Sequence, residues 1–129
     1  MSLNIECVRD ILLEVEKKAV PDLKGKITAV NVQTLPDCMS LKKYSDAEIY
    51  YHVRFLFECG ALKKGRQFIT DIMPRINGIT FPVGQSLLEK LRPKDAVQKI
   101  LPILMKCVPE KCEDIIKMII QTDFDRITQ

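Results

Sequence analysis

The stretch that decides the fold is Tyr44–Leu62, YSDAEIYYHVRFLFECGAL. Ser45 and Glu48 have the spacing of a capping box, in which each side chain satisfies a free backbone amide of a helical first turn. Gly60 stands where a helix favours a residue in the left-handed conformation. We therefore predict a helix from residue 44 to residue 60. Its apolar stripe at helical spacing consists of Ile49, His52, Val53 and Leu56.

The residues before this central helix predict one more helix and a short strand. Apolar side chains recur every three or four positions over Ile5–Ala19, which predicts the first helix, and Pro21 ends it. β-Branched residues are frequent between Gly25 and Leu35, which indicates a short strand. Residues 38–41 follow a Pro-Asp turn and predict a single helical turn.

The residues after the central helix predict a two-stranded wing. We expect its strands at Gln67–Met73 and Ile76–Phe81, with Pro74 between them. Asn77-Gly78 is typical of a tight turn. The expected fold class is mostly α with a small β wing (α+β).

Three helices are predicted after the wing. Thr80 caps the first, over residues 83–91, and Asp95 with Gln98 resembles a capping pair that opens the second. Pro102 predicts a kink or a restart in the second helix, and Pro109 suits the first turn of the third. The third helix is apolar nearly all round, through Ile115, Ile116, Met118, Ile119 and Ile120.

This apolar last helix predicts association. A helix of this kind must bury a second side, so we expect a homodimer to which residues 95–121 contribute. The expected domains are a winged-helix unit over residues 1–92 and a C-terminal helical extension over residues 93–129. The extension either packs on the first domain or forms the dimer interface.

The predicted order of helices and strands is that of a winged helix-turn-helix core followed by C-terminal helices. Residues 50–62 look like the "HLxxLxxxGLI" segment of many winged-helix transcription regulators. More specifically, the chain resembles domain of unknown function family 2513, found in bacteria and their phages. Residues 7–16, CVRDILLEVE, resemble its "LxRxILLxIE" helix; residues 44–53 resemble "YSxEEIxYHL"; and residues 79–88, ITFPVGQSLL, resemble "LTxxGHEFL". The family has no assigned activity, so the resemblance implies a fold more than a function.

The composition argues against several classes of protein. No apolar run reaches the roughly 20 residues that span a bilayer, and no secretory signal is visible, so we expect no membrane association. His52 is the only histidine, and a structural zinc needs four N or S ligands, so we expect no metal and no other cofactor. His52 has no visible catalytic partner, and we expect no enzyme. An odd, scattered set of cysteines favours a reducing cytoplasm over a disulfide framework: Cys7, Cys38, Cys59, Cys107 and Cys112.

The positive charge is concentrated after the central helix. Residues 60–79 contain four cations against Asp71 alone, whereas Arg54 is the single cation of residues 44–59. In a winged helix, the helix before the wing commonly enters a major groove while the wing touches phosphates. Arg54 is therefore the expected base reader, helped by Tyr51. The candidate DNA-contacting residues are Lys42, Lys43, Tyr51, Arg54, Lys63, Lys64, Arg66 and Arg75.

Two functions remain open. The first is a DNA-binding, transcription-regulator-like and phage-related protein, which the basic wing favours. The second is a protein–protein interaction module that keeps the fold without binding DNA, which the acidic side chains Asp46, Glu48 and Glu58 favour. Tyr51 and Phe55 project away from the apolar stripe, which suggests packing by other segments, contact with a dimer mate or partner, or contact with DNA. DNA binding is the preferred interpretation.

Overall fold

The computed structural model describes residues 3–106 and 112–121. The chain is mostly helical with one small antiparallel sheet, which confirms the predicted fold class. The helices are α1 (Ile5–Lys18), α2 (Asp46–Glu58), α3 (Val83–Leu91), α4 (Ala96–Lys106) and α5 (Cys112–Gln121), and the strands are β1 (Leu62–Lys64) and β2 (Ile76–Ile79).

The segment between α1 and α2 contains less strand than the sequence indicates. The strand expected between Gly25 and Leu35 is wrong, since only isolated bridges form, Pro21 with Ile27 and Val30 with Ile76. The Asn31 side chain then accepts a hydrogen bond from the amide of Gln33, which starts a 3₁₀ helix over residues 32–37. This local cap turns the chain before a strand can extend. A second 3₁₀ helix, at residues 39–41, confirms the predicted single turn.

The wing is built from different residues than predicted. Its first strand is Leu62–Lys64, so the prediction of a strand at Gln67–Met73 is wrong; residues 65–75 form the loop that joins the strands. The cause is that Leu62 pairs with Ile79 directly after α2, before the apolar residues of the loop are reached. The predicted turn at Asn77-Gly78 is also wrong, because both residues lie inside β2. The second strand is confirmed, although it ends at residue 79 rather than 81.

The sheet gives the chain its winged-helix connectivity. On one side β2 pairs with β1, and on the other Ile76 exchanges two backbone hydrogen bonds with Val30 (2.8 and 2.9 Å). This single bridge occupies the place of the first strand of a winged helix. It ties the segment before α2 to the wing that follows α2, so the position of the wing relative to α2 is fixed.

The helices after the wing close the core. The bounds of α3 are as predicted, and the Thr80 hydroxyl accepts a hydrogen bond from the Gly84 amide (3.1 Å). Of the kink or restart predicted at Pro102, the restart does not occur, since α4 continues through Pro102 as one helix. The first-turn position predicted for Pro109 falls outside the described residues.

The last helix packs against α3 of the same chain. Ile116 and Ile119 are buried, while Ile115 and Ile120 are half-buried against the core. The apolar side chains of α5 therefore find partners within the chain, and the expected homodimer stays a prediction. One hydrophobic core includes side chains from α1 through α5. In the part of the chain that is described, no helix has the length and apolar character needed to cross a membrane.

Candidate nucleic-acid interface

Buried hydrogen bonds fix α2 against the start of α1. The Ser45 hydroxyl accepts from the Glu48 amide as predicted, but the Glu48 carboxylate accepts from the Asn4 side chain (2.9 Å) instead of closing the capping box. The fully buried His52 accepts the Asn4 amide proton at Nε2 (2.8 Å), and its Nδ1 donates to the Glu48 carbonyl (2.7 Å). Both ring nitrogens are thus occupied: Nε2 joins α2 to the start of α1, and Nδ1 bonds within α2.

The outer face of α2 carries Tyr51 and Arg54. Tyr51 is 41% exposed, and Arg54 is also exposed. The prediction that Phe55 projects outward is wrong, because its side chain is only 7% exposed. The cause is that neighbouring segments cover α2 beyond its central stripe, so Phe55 joins the hydrophobic core.

A groove runs between this face of α2 and the wing. Its first part is largely apolar, has a volume of about 350 Å³ and is lined by Tyr51, Arg54, Ile72 and Met73, among others. Its second part, of about 270 Å³, shares the last three of these residues and adds Lys64. We call the two parts together the α2–wing groove. Side chains of both the helix and the wing line it.

The two wing lysines lie on opposite sides of β1. Successive side chains of a strand alternate between its faces. Lys64 lines the α2–wing groove, with its ammonium 5.8 Å from the centre of the Phe57 ring. Lys63 lines a separate hollow together with Glu16 and Gln85. The structure therefore places Lys64 and Arg54 in the same part of the groove and Tyr51 in the adjoining part, and it separates Lys63 from them.

The remaining predicted cations differ in how far their charge is compensated. Lys43 forms ion pairs with Glu6 (2.7 Å) and Asp10 (3.3 Å), and the hydrogen bond that its ammonium donates to Glu6 is the main cause of its raised pKa. Lys42, which precedes α2, is exposed. Arg66 forms no ion pair with another described residue. We therefore regard Lys42 and Arg66 as better placed than Lys43 to contact phosphate.

The wing loop is ordered by one buried carboxylate, a feature that the sequence analysis missed. Asp71 accepts hydrogen bonds from the Phe68 amide (3.0 Å) and from Nε of Arg75 (3.1 Å). These two donors, the amide first, hold the pKa of the Asp71 carboxyl below its usual range. The guanidinium of Arg75 also lies 4.7 Å from the centre of the Phe68 ring. The charge count includes Asp71 only as an acidic residue, but a carboxylate that binds the amide three residues earlier is a known local pattern for Asp.

The thiols of the described region resemble packing groups. Burial is the main cause that raises the pKa of Cys7 to about 12, which leaves no thiolate at neutral pH. Within residues 3–106 and 112–121, no cluster of three His, Cys, Asp or Glu side chains could hold a metal ion.

Comparison with protein-family models, with curated proteins and with solved structures found no match to this chain.

Proposed function

We propose that this protein binds duplex DNA, as a transcription-regulator-like winged helix, through the α2–wing groove. The observation that carries the proposal is the shared groove itself. Tyr51 and Arg54 on the helix before the wing line it together with Lys64 from β1. The winged-helix connectivity supports the same orientation, because that helix is the one commonly placed in a major groove.

The proposed roles follow from the placement of each cation. Lys64 and Arg66 contact phosphates, which supplies affinity for any sequence. Arg54 reads a base edge, and its planar guanidinium suits a guanine because it can donate two parallel hydrogen bonds. Tyr51 lies beside Arg54 and contacts the backbone or a base. Lys42 adds a phosphate contact close to the start of α2.

The acidic side chains of α2 limit the strength of this interaction. Asp46 and Glu58 are exposed on α2, and both would approach phosphates at a cost. DNA binding therefore depends on few cations, and the acidic side chains of α2 oppose it. Binding by one copy of the chain should be weak and poorly selective, and a homodimer would supply the second contact that specificity needs.

The first prediction is a difference between two double variants that remove the same charge. Lys64→Ala/Arg66→Ala should weaken binding to a mixed-sequence duplex by roughly 10- to 100-fold at about 0.1 M salt, because each lost phosphate contact lowers the log affinity by close to one. The matched control is Lys17→Ala/Lys63→Ala, since both lysines are exposed away from the groove. Fluorescence anisotropy of a labelled duplex measures both affinities. Equal losses in the two variants would contradict the proposed placement of the site.

A second function is favoured by one specific observation. The first part of the groove is apolar, and Ile72 remains 56% exposed at its edge. An apolar groove with an acidic flank suits a protein partner that carries an apolar anchor and a basic residue. If the wild-type chain binds no duplex at low salt, this protein–protein interaction module becomes the better proposal.

A further inference from the structure

The tip of the wing exposes two adjacent large apolar side chains. Ile69 is fully exposed, at 105% of its reference area, and Phe68 is 46% exposed. Folding has left these side chains in water although a buried position is favourable for both. Leu23 shows a similar exposure in a surface turn, where the exposed apolar neighbours Val20 and Ile27 are aliphatic.

The tip is held in a defined shape. The buried Asp71 carboxylate accepts from the Phe68 amide, and the Asp71 amide donates to the Phe68 carbonyl (2.9 Å). At the base of the loop, the Gly65 amide donates to the Arg75 carbonyl (2.6 Å), and the Arg75 amide donates to the Arg66 carbonyl (2.9 Å). An apolar tip on such a closed loop is presented rigidly, so little conformational entropy is lost when it enters a binding site.

Positive charge surrounds the tip. The guanidinium of Arg75 lies 4.7 Å, and that of Arg66 6.0 Å, from the centre of the Phe68 ring. Arginines beside an apolar wedge match the minor groove of DNA, where phosphates border a narrow cleft whose base steps can be parted by Phe, Leu or Ile. A lipid surface fits less well, because two side chains bury too little apolar area to hold a chain there.

We propose that the wing tip enters the minor groove and that Ile69, backed by Phe68, wedges between two base pairs and bends the duplex. This inference rests on the proposed function and adds to it. Contact of α2 with the major groove would position the wing over the adjacent minor groove. The bend would bring further phosphates to Arg66 and Arg75, so the unstacking of one base step is offset by added backbone contacts.

The test measures DNA shape and affinity together. A mixed-sequence duplex of about 30 base pairs carries a fluorescence donor and acceptor at its two ends, and an energy-transfer gain on binding reports a bend. The wild-type chain should bend the duplex by roughly 20–90°. Ile69→Ala should remove at least half of the energy-transfer gain. It should weaken binding several-fold less than Lys64→Ala/Arg66→Ala, since it removes no charge.

Leu23→Ala is the matched control, because it truncates another fully exposed apolar side chain outside the wing. It should leave the bend and the affinity unchanged. Neither truncation removes a core contact, and thermal melting by circular dichroism checks that both variants are folded. A variant Ile69→Phe should keep the bend, because a larger apolar wedge still parts the base step.

The outcomes separate this inference from the proposed function. Duplex binding without any gain in energy transfer, or an equal gain with Ile69→Ala, would overturn the wedge and leave DNA binding intact. No duplex binding by the wild-type chain at low salt would overturn both. Binding to vesicles of phosphatidylserine and phosphatidylcholine that is lost with Ile69→Ala, when no duplex is bent, would show that the tip serves a lipid surface.

Discussion

Arg9 and Glu16, two charged side chains of α1, both contact the C-terminal end of α3. Arg9 donates to the carbonyl oxygens of Leu91 (2.6 Å) and Arg92 (2.8 Å). These carbonyls lie at the end of α3, where no following helical turn supplies an amide donor. Glu16 accepts two hydrogen bonds from the Arg92 guanidinium (2.9 and 2.7 Å), which lower the pKa of its carboxyl. Such bidentate pairs fix orientation as well as distance. These charges therefore serve to position α3.

The side chains of the segments that carry the family resemblance also make contacts that position one element of the fold against another. Arg9 and Glu16 belong to the first matching segment, His52 to the second, and Thr80 to the third. Thr80 both accepts from the Gly84 amide and donates to the Gly60 carbonyl. These residues stabilise the fold, so the resemblance that they carry could predict the architecture of the chain. The groove-lining Ile72 and Met73 lie between the matching segments, which is why no motif pointed to them.

Protonation of Asp71 should loosen the wing loop. Because folding lowers the pKa of this carboxyl, its stabilising effect is complete at neutral pH and is lost as the pH falls through the lowered value. We expect the NMR resonance of the Phe68 amide to move toward its unstructured position in the acid range. The Thr80 amide, which donates to the Ala61 carbonyl, is the internal control. In Asp71→Asn the Phe68 amide resonance should already be shifted at neutral pH. A resonance that moves neither on acidification nor in Asp71→Asn would contradict the role of Asp71 in ordering the loop.

Helices were easier to predict here than strands. The apolar periodicity of α1 and α2 extends over three or more turns, so both helices were predicted with ends within two residues of those observed. The wing strands have three and four residues, too few to show an alternating pattern. The loop residues Phe68, Ile69 and Ile72 look like strand residues because they are apolar and partly β-branched, yet they are exposed. Their exposure depends on the Asp71 turn, which hydrophobicity does not reveal.

The junction of α3 with β1 depends on the absence of a side chain at Gly84. A Cβ there would collide with the Ala61 carbonyl oxygen, a backbone atom, and would crowd the Ile79 side chain (2.5 Å). We predict that Gly84→Ala lowers the free energy of unfolding by about 1–3 kcal/mol, because overpacking outweighs the better helix propensity of alanine. Urea denaturation measures the change.

Ser86→Ala, in the same helix, is the control for Gly84→Ala. It removes a half-exposed hydroxyl without adding volume, so its effect should stay within about 0.5 kcal/mol, as for other surface changes. Equal stability of Gly84→Ala and the wild-type chain would mean that α3 does not approach the backbone of Ala61, the residue before β1, as closely as described.

The chain as a whole has one core that its helices share, and cations are unevenly distributed over its surface. Side chains from α4 and α5 join the same core as those of α1–α3. The net charge of +3 says little about where cations lie. Arg54 and Lys64 line the α2–wing groove, whereas Lys63 lines the separate hollow, and this difference depends on the register of the strand. The sequence could therefore predict a basic wing, but it could not predict which of its cations share a site.

The salt dependence of duplex binding by the wild-type chain tests DNA binding through the α2–wing groove most directly. Lys42, Lys64 and Arg66 contact phosphates in this account, with Arg54 as a base reader. A plot of log affinity against log salt concentration should be linear with a slope between about −2 and −4, since each phosphate contact contributes close to −0.9. Absence of binding at the lowest salt concentration, or a slope near zero, would contradict the account.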